Sequence, residues 1–327
     1  MIDDNELIAA VIVTFNRLQL LKECISALKE QTRKVNEIIV INNSSSDGTQ
    51  EWLERQDSIT IILQENSGSS GGQYTGIKTA YEKGYHWIWC MDDDVKPNID
   101  ALQTMCEFMK DRKEEDIASL QLLKKSFPDD NHFYNGADFL EINSFKEKNI
   151  ATNALRRGFI LTNLFSFEGV LLNSSIIEKV GLPQKDYFCF YDDREYALRI
   201  KKILPQKAIV LIGKVGLQNI KYKINNNKLD KNDLIESEIN IFCLYFRNLV
   251  ITYRIHYPNL IKVRGVFNLI LHYKKWIIKI LIYIIFNKKR SILFKKIKNE
   301  IYFNGFKKSL NNFYGPIYYY KKTLTDK

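Results

Sequence analysis

The sequence predicts an α/β fold with a mostly parallel central sheet, followed by a C-terminal helical and basic region. Three observations carry that prediction. Strand and helix patterns alternate four times within roughly the first 90 residues, an arrangement that puts crossover helices on both faces of a parallel sheet. Polar clusters stand directly after the strand patterns, where such sheets bind ligands. The charge is unevenly divided: residues 241–327 hold 18 Lys and Arg against 2 Asp and Glu, whereas residues 1–240 hold 30 against 36.

The elements follow in order. Leu7–Thr14 (LIAAVIVT) is almost continuously apolar, as a strand covered on both faces must be. Asn16–Glu30 places Leu18, Leu21, Ile25 and Leu28 on one helical stripe. Glu37–Ile41 is the second strand. Asp47 then caps a helix, with Gln50 three residues on as a weak capping box. Ser58–Leu63 is a strand, Gly72–Lys83 a helix and Trp87–Met91 a fourth strand, with a helix expected near Pro97. The stretch 124–161 is irregular and reads as a substrate-facing excursion. Phe167–Leu172 resumes an apolar run. Asn173 opens a helix to Val180 that Gly181 and Pro183 end, and Asp192 or Asp193 opens another through Leu198. Asn225–Asn227 is a loop. The domain boundary falls near 235, giving a body of 1–235 and a helical region of 236–327.

Composition removes several classes of protein. With 327 residues, 45% hydrophobic and 26% charged, the chain has ample material for a core and is not disordered. Its five cysteines, at 24, 90, 106, 189 and 243, form no zinc spacing and are too few for a disulfide scaffold. That predicts a reducing compartment. The acidic start, Met1-Ile2-Asp3-Asp4-Asn5-Glu6, has no leader pattern, so a cytoplasmic location is expected.

Three clusters carry chemistry. Asp92-Asp93-Asp94 follows the apolar strand WIWCM. Alternate carboxylates at a strand end can converge on a hard divalent cation that bridges phosphates; an acidic turn before a helix fits the same residues. Asp192-Asp193 follows an aromatic run. One carboxylate there can cap the helix while the other faces a cavity, and Arg199 lies one turn beyond Glu195 and can pair with it. The third is Asn66-Ser67-Gly68-Ser69-Ser70-Gly71-Gly72 at a helix start, suited to close backbone approach and to phosphate, or equally to a plain loop. It is no Walker loop, because no Gly-Lys-Ser/Thr follows.

The motifs IVTFN, INNSSSDGT, ENSGSSGGQYTGI, CMDDDVKP and FYDDREYALR stand in that order. Together they resemble a family 2 inverting glycosyltransferase over about residues 7–215. The glycine-rich segment, the Asp triplet and the Tyr-Asp-Asp-x-Glu-Tyr segment look most like the bacterial galactofuranosyltransferase and rhamnosyltransferase branch. Tyr245-Phe246-Arg247-Asn248 is similar to a segment that often follows the catalytic domain there.

The resemblance implies a single Rossmann-like nucleotide-sugar-binding domain of GT-A type and a role for each matching residue. Thr14 and Phe15 would border the base. Asn42 stands where many relatives have an Asp that reads uracil. Asn66, Gly71 and Gly72 would line the donor. Asp92 and Asp94 would hold Mg²⁺ or Mn²⁺ on the diphosphate, with Asp93 nearer the sugar or ribose. Asp193 matches the general base, with Asp192 and Glu168 in the acceptor site. One departure is the histidine that many relatives place on the strand after the base helix. Residues 211–218 (LIGKVGLQ) have none, so the metal site would use the Asp pair, water and diphosphate, or Gln218 in its place. The implied reaction transfers a sugar, galactofuranose from UDP foremost and rhamnose from dTDP as the alternative, to a lipid-linked bacterial glycan.

The tail bears on location. Residues 266–286 (VFNLILHYKKWIIKILIYIIF) are very apolar but interrupted by Lys274, Lys275 and Lys279, which makes a spanning helix costly. A helix lying in the membrane interface fits, followed by basic residues that each add about 1 kcal/mol toward an anionic leaflet. A buried C-terminal helix with a solvated basic face also fits, and its apolar face could serve a homodimer. No nucleic-acid motif accompanies the charge. Two rivals are a nucleotidyltransferase, which would need a glycine-rich basic loop after the first strand, and a non-enzymatic polyanion-binding module at a membrane surface, which leaves the acidic clusters unexplained.

Overall fold

The structure, a computed structural model, describes residues 6–110, 116–125, 139–141, 146–148, 151–220 and scattered residues within 248–256. The chain divides into two compact units, one of residues 1–141 and 146–224, the other of 142–145 and 225–327. The basic segment 266–286 lies outside the described residues, among which no helix is long and apolar enough to cross a membrane. Tyr245, Phe246 and Arg247 also lie outside them, as does the loop 225–227.

The elements of the first unit begin with β1 (Ile8–Thr14), α1 (Leu18–Lys29), β2 (Glu37–Asn42), α2 (Thr49–Leu53), β3 (Ile59–Leu63), α3 (Gly68–Glu82) and β4 (Trp87–Asp92). They continue with β5 (Val95–Pro97), α4 (Ala101–Lys110), β6 (Ile117–Lys125), the hairpin of β7 (Phe139–Glu141) and β8 (Lys146–Lys148), α5 (Ala151–Arg157) and β9 (Phe159–Thr162). Last come β10 (Val170–Asn173), α6 (Ile177–Val180), α7 (Asp192–Ile203) and β11 (Ala208–Asn219).

A nine-stranded sheet runs β3-β2-β1-β4-β10-β6-β11-β5, with β9 also on β11. The pairs β3/β2, β2/β1, β1/β4 and β6/β11 are parallel. β10 enters antiparallel between β4 and β6, so β6 and β11 run the same way as β1 to β4. The mostly parallel sheet is as the alternation predicts.

β1 is buried at every residue because both its faces are covered. Ile8, Ala10 and Ile12 pack in one core with Leu21, Cys24, Ile25 and Leu28 of α1 and Leu102 and Met105 of α4. The opposite face meets α3 at close range. A Cβ on Gly72 would lie 2.4 Å from Val13 Cγ1, and one on Gly76 2.2 Å from Val11 Cγ1. These two glycines are four apart, on one face of α3, and they let the helix backbone rest on the strand.

Several boundaries differ from expectation. α1 starts at Leu18 because Asn16 takes φ +54°, outside helical space. α3 starts at Gly68, not Gly72. Residues 95–97 form β5 on β11 instead of opening a helix at Pro97. No capping box forms at α2: Asp47 accepts from Leu18 N and from Thr49, whereas Gln50 bonds Asn42 and Glu54. The irregular stretch holds the end of β6, a hairpin, α5 and β9.

Candidate active site

β4 ends at Asp92, on the edge where β1 and β2 also end, and the chain turns there before β5. The alternation of side chains separates the three aspartates. Asp93 is buried, accepting from Thr14 Oγ1 at 2.7 Å and from Arg17 Nη1 at 3.1 Å. The same Arg17 nitrogen donates to Asp94 Oδ2 at 3.2 Å. Asp92 and Asp94 instead converge with Glu168, each offering a carboxylate oxygen within 4.8 Å of the others.

Burial dominates the electrostatics. It raises the Asp92 carboxyl well above the usual range, helped by Glu168, Asp94 and Asp93. Asp94 is raised by burial, with Glu168 adding and Arg17 and Lys124 opposing. Asp93 is pushed up to about 6 by burial, although Arg17 and Thr14 pull it down. Three oxygen donors at a desolvated, mutually repulsive spot suit a hard divalent cation, which takes carboxylate and phosphate oxygens and offsets the repulsion. The donor set therefore fits Mg²⁺ or Mn²⁺. Gln218, near the end of β11, donates its amide nitrogen to Asn98 Oδ1 at 3.0 Å.

Glu168 is delivered by a fixed backbone. Gly169 follows at φ +104°, and a Cβ there would sit 2.3 Å from Leu217 Cδ1, so only glycine fits. Gly169 N donates to Cys90 O at 2.8 Å, and Trp89 Nε1 donates to Gly169 O at 3.2 Å, which ties the segment to β4. Lys124, at the end of β6, forms an ion pair with Glu168.

The second acidic group opens α7. The approach is strained. Cys189 N donates to Tyr187 O at 2.8 Å around Phe188 at φ +66°, ψ −59°, a tight γ-turn. Phe190 and Tyr191 also lie in the left-handed region. Asp192 and Asp193 then occupy the first helical turn. Asp193 Oδ1 accepts from Arg194 N at 2.7 Å. Burial raises both carboxyls, Asp192 to about 7 with Asp193 as the next cause. Glu168 raises Asp193 as well as Asp92 and Asp94, so it electrically links the two acidic groups. The predicted Glu195–Arg199 pair forms, with Nη2 to Oε2 at 2.8 Å, and Arg199 also holds Val180 O and Leu182 O. It is structural.

The remaining predicted residues are placed as follows. Phe15 is 43% exposed beyond β1. Asn42 is buried, accepting from Ser45 N and donating to Gln50, each at 2.9 Å. Asn66 Oδ1 accepts from Gly68 N at 3.0 Å. A Cβ on Gly71 would meet Ser67 Oγ at 2.1 Å. Gly71 and Gly72 thus serve local packing. The start of α3 is closed by protein, since Ser70 N donates to Phe188 O at 3.0 Å. The helix start is joined to the γ-turn instead of presenting that N–H to phosphate.

Sequence reasoning missed Arg17, Lys124 and Ser166, the last of which lowers Asp193 by a side-chain hydrogen bond. Arg17 carried a signal, a cation three residues past the end of β1, in reach of the β4 end. Lys124 carried none, because a Lys closing a strand reads as a solvated edge.

The sequence profile described as Glycosyl transferase family 2 matches residues 9–180, which include β1 to β4, the Asp triplet and Glu168. The chain belongs to this family. Among curated relatives of this family 2 member, the galactofuranosyltransferase GlfT1 of Mycolicibacterium smegmatis is 25% identical over 204 residues, 60% of this chain and 65% of that one. The poly-beta-1,6-N-acetyl-D-glucosamine synthase of Staphylococcus aureus is 32% identical over 113 residues, 33% of this chain and 27% of that one. The chain thus spans less than two thirds of each. A solved structure of GalNAc-T7 with UDP, GalNAc and Mn²⁺ superposes with a TM-score of 0.57 at 12% identity, covering 77% of this chain and 48% of that one. The shared fold is the GT-A type that the motif order implied.

Proposed function

We propose that this family 2 protein is an inverting glycosyltransferase that moves a sugar from a nucleoside diphosphate to a hydroxyl of a bacterial cell-surface glycan. The observation that carries the reading is the convergence of Asp92, Asp94 and Glu168 beside a second carboxylate pair at the start of α7. Donor and acceptor chemistry need those two groups side by side.

Asp92 and Asp94, with Glu168, would hold Mg²⁺ or Mn²⁺. When bound, the cation supplies Lewis-acid stabilisation of the charge that develops on the leaving diphosphate. The protein's own groups do the rest. Arg17 holds Asp93 and Asp94 in place. Asp193 accepts the proton of the attacking hydroxyl as the new bond forms opposite the departing diphosphate, which inverts the anomeric carbon. Its raised pKa makes it a better proton acceptor than an ordinary surface Asp. Asp192 beside it is itself raised to about 7, by burial and then by the Asp193 charge.

The donor we favour is UDP-galactofuranose, supported by the motif branch and by the likeness to GlfT1; dTDP-rhamnose is the alternative. The acceptor class is a lipid-linked glycan at the cytoplasmic leaflet, where residues 266–286 and the lysines after them would hold the protein on the anionic surface. Incubation of the protein with Mn²⁺, a lipid-linked acceptor and each nucleotide sugar tests both parts. Release of UDP from UDP-galactofuranose, with none from dTDP-rhamnose, is expected. Turnover of neither donor by the wild type refutes the donor assignment.

A further inference from the structure

Lys124 is 1% exposed at the end of β6, and a buried ammonium is costly unless it is paired and hydrogen-bonded. It forms an ion pair with Glu168, whose carboxylate also lies with Asp92 and Asp94. Two further facts make that contact consequential. Residues 133–255 contain no histidine, and among the described residues the acidic, His and Cys side chains grouped closely enough to share a cation there are Asp92, Asp94 and Glu168. Glu168 is thus the third carboxylate in reach of a cation at Asp92 and Asp94. Its backbone is tied to β4 by the hydrogen bonds of Gly169 with Cys90 O and Trp89 Nε1, so the freedom left to its carboxylate is that of the side chain.

We propose that Lys124 is a positioning residue that holds Glu168 as the third carboxylate of the divalent-cation centre. The inference rests on the cation in the reading above. A carboxylate has two oxygens and about four lone-pair sites, so Glu168 can serve an ammonium and a cation together. Partners that orient a metal ligand from behind typically change metal affinity by about 10- to 100-fold when removed. The ammonium also repels a cation, and the two effects have opposite signs. Orientation wins in this geometry, because without Lys124 the Glu168 carboxylate would be drawn away from Asp92 and Asp94 by their like charge.

The test is a titration of the full chain with Mn²⁺ alone, following free Mn²⁺ by its electron paramagnetic resonance signal, with no nucleotide and no turnover. Wild type binds and Asp94→Asn loses binding. Lys124→Met weakens binding about 10- to 100-fold, Lys124→Arg stays close to wild type, and Glu168→Gln combined with Lys124→Met binds no more weakly than Glu168→Gln alone. That last equality marks an action through Glu168, which a purely structural lysine would not give. Should Lys124→Met not fold, the double variant, which removes both charges of the pair, decides the question against Glu168→Gln. Lys124→Met binding as tightly as wild type while Asp94→Asn fails overturns the proposal and leaves the cation reading standing. So does a further tenfold loss in the double variant. No Mn²⁺ binding by the wild type overturns both.

Discussion

The strand-end triplet and the helix-start pair are both clusters of buried and half-buried carboxylates, yet they are held in different ways. Asp92, Asp93 and Asp94 have cations built around them: Arg17 bridges Asp93 and Asp94, and Lys124 anchors the neighbouring Glu168. Asp192 and Asp193 have instead the amide of Arg194, its side chain and hydroxyl groups, and they follow three residues in strained backbone. The first arrangement spreads fixed charge for a cation to complete. The second holds both carboxyls above the usual carboxylate range, with Asp192 at about 7. Similar side chains are thus tuned toward a metal in one place and toward a proton in the other.

Removing the proton acceptor gives the largest expected effect. Asp193→Asn should lower transfer by about 10²- to 10⁴-fold and leave nucleotide affinity unchanged. Parent-like turnover would show that the pair does no proton work. Disabling the cation side comes next. Asp94→Ala should weaken Mn²⁺-dependent nucleotide binding at least about tenfold, in line with the loss of a metal ligand's partner or more. Calorimetry with UDP reads it, and unchanged affinity would erase the distinction between the two clusters.

The pH response sharpens the contrast. Asp192 titrates at about 7 in the folded chain against about 3.9 unfolded. The folded state therefore binds more protons between those values. Its contribution to stability is present at acid pH and lost as the pH rises through about 7. Metal-free protein should melt at a lower temperature at pH 8 than at pH 6, and Asp192→Asn should flatten that difference. Transfer should rise with pH as the raised Asp193 carboxyl ionises, since it must lose its proton before it can accept one. The smallest effect lies away from both groups. Gly76→Ala presses a methyl onto Val11 and should destabilise by about 1–3 kcal/mol in chemical denaturation without changing the pH response.

The parallel half of the fold was legible because its physics is local. A strand covered on both faces has to be apolar along its covered length, and β1 is from Ile8 to Val13, β2 from Ile38 to Ile41 and β4 from Trp87 to Met91. The acidic residues were legible for a related reason: three aspartates after WIWCM have no purpose in a core. The glycines were harder. Gly71 and Gly72 read as a ligand cradle but relieve contacts with Ser67 and Val13, a matter of which helix face meets β1. The short β5 was not legible, because its pairing partner, β11, lies more than 100 residues away. Lys124 and Glu168 meet for the same reason, across 44 residues. No local pattern announces such a contact.

Thermal melting of the wild type and Asp94→Ala with UDP, each with and without Mn²⁺, tests most directly that the Asp cluster is a cation-dependent site for a nucleoside diphosphate. The account predicts that adding UDP raises the melting temperature of the wild type only when Mn²⁺ is present, by an amount corresponding to about 2.7 kcal/mol at 100 times the dissociation constant. Asp94→Ala should show none. A shift with UDP that is equal without Mn²⁺, or that persists in Asp94→Ala, would contradict it.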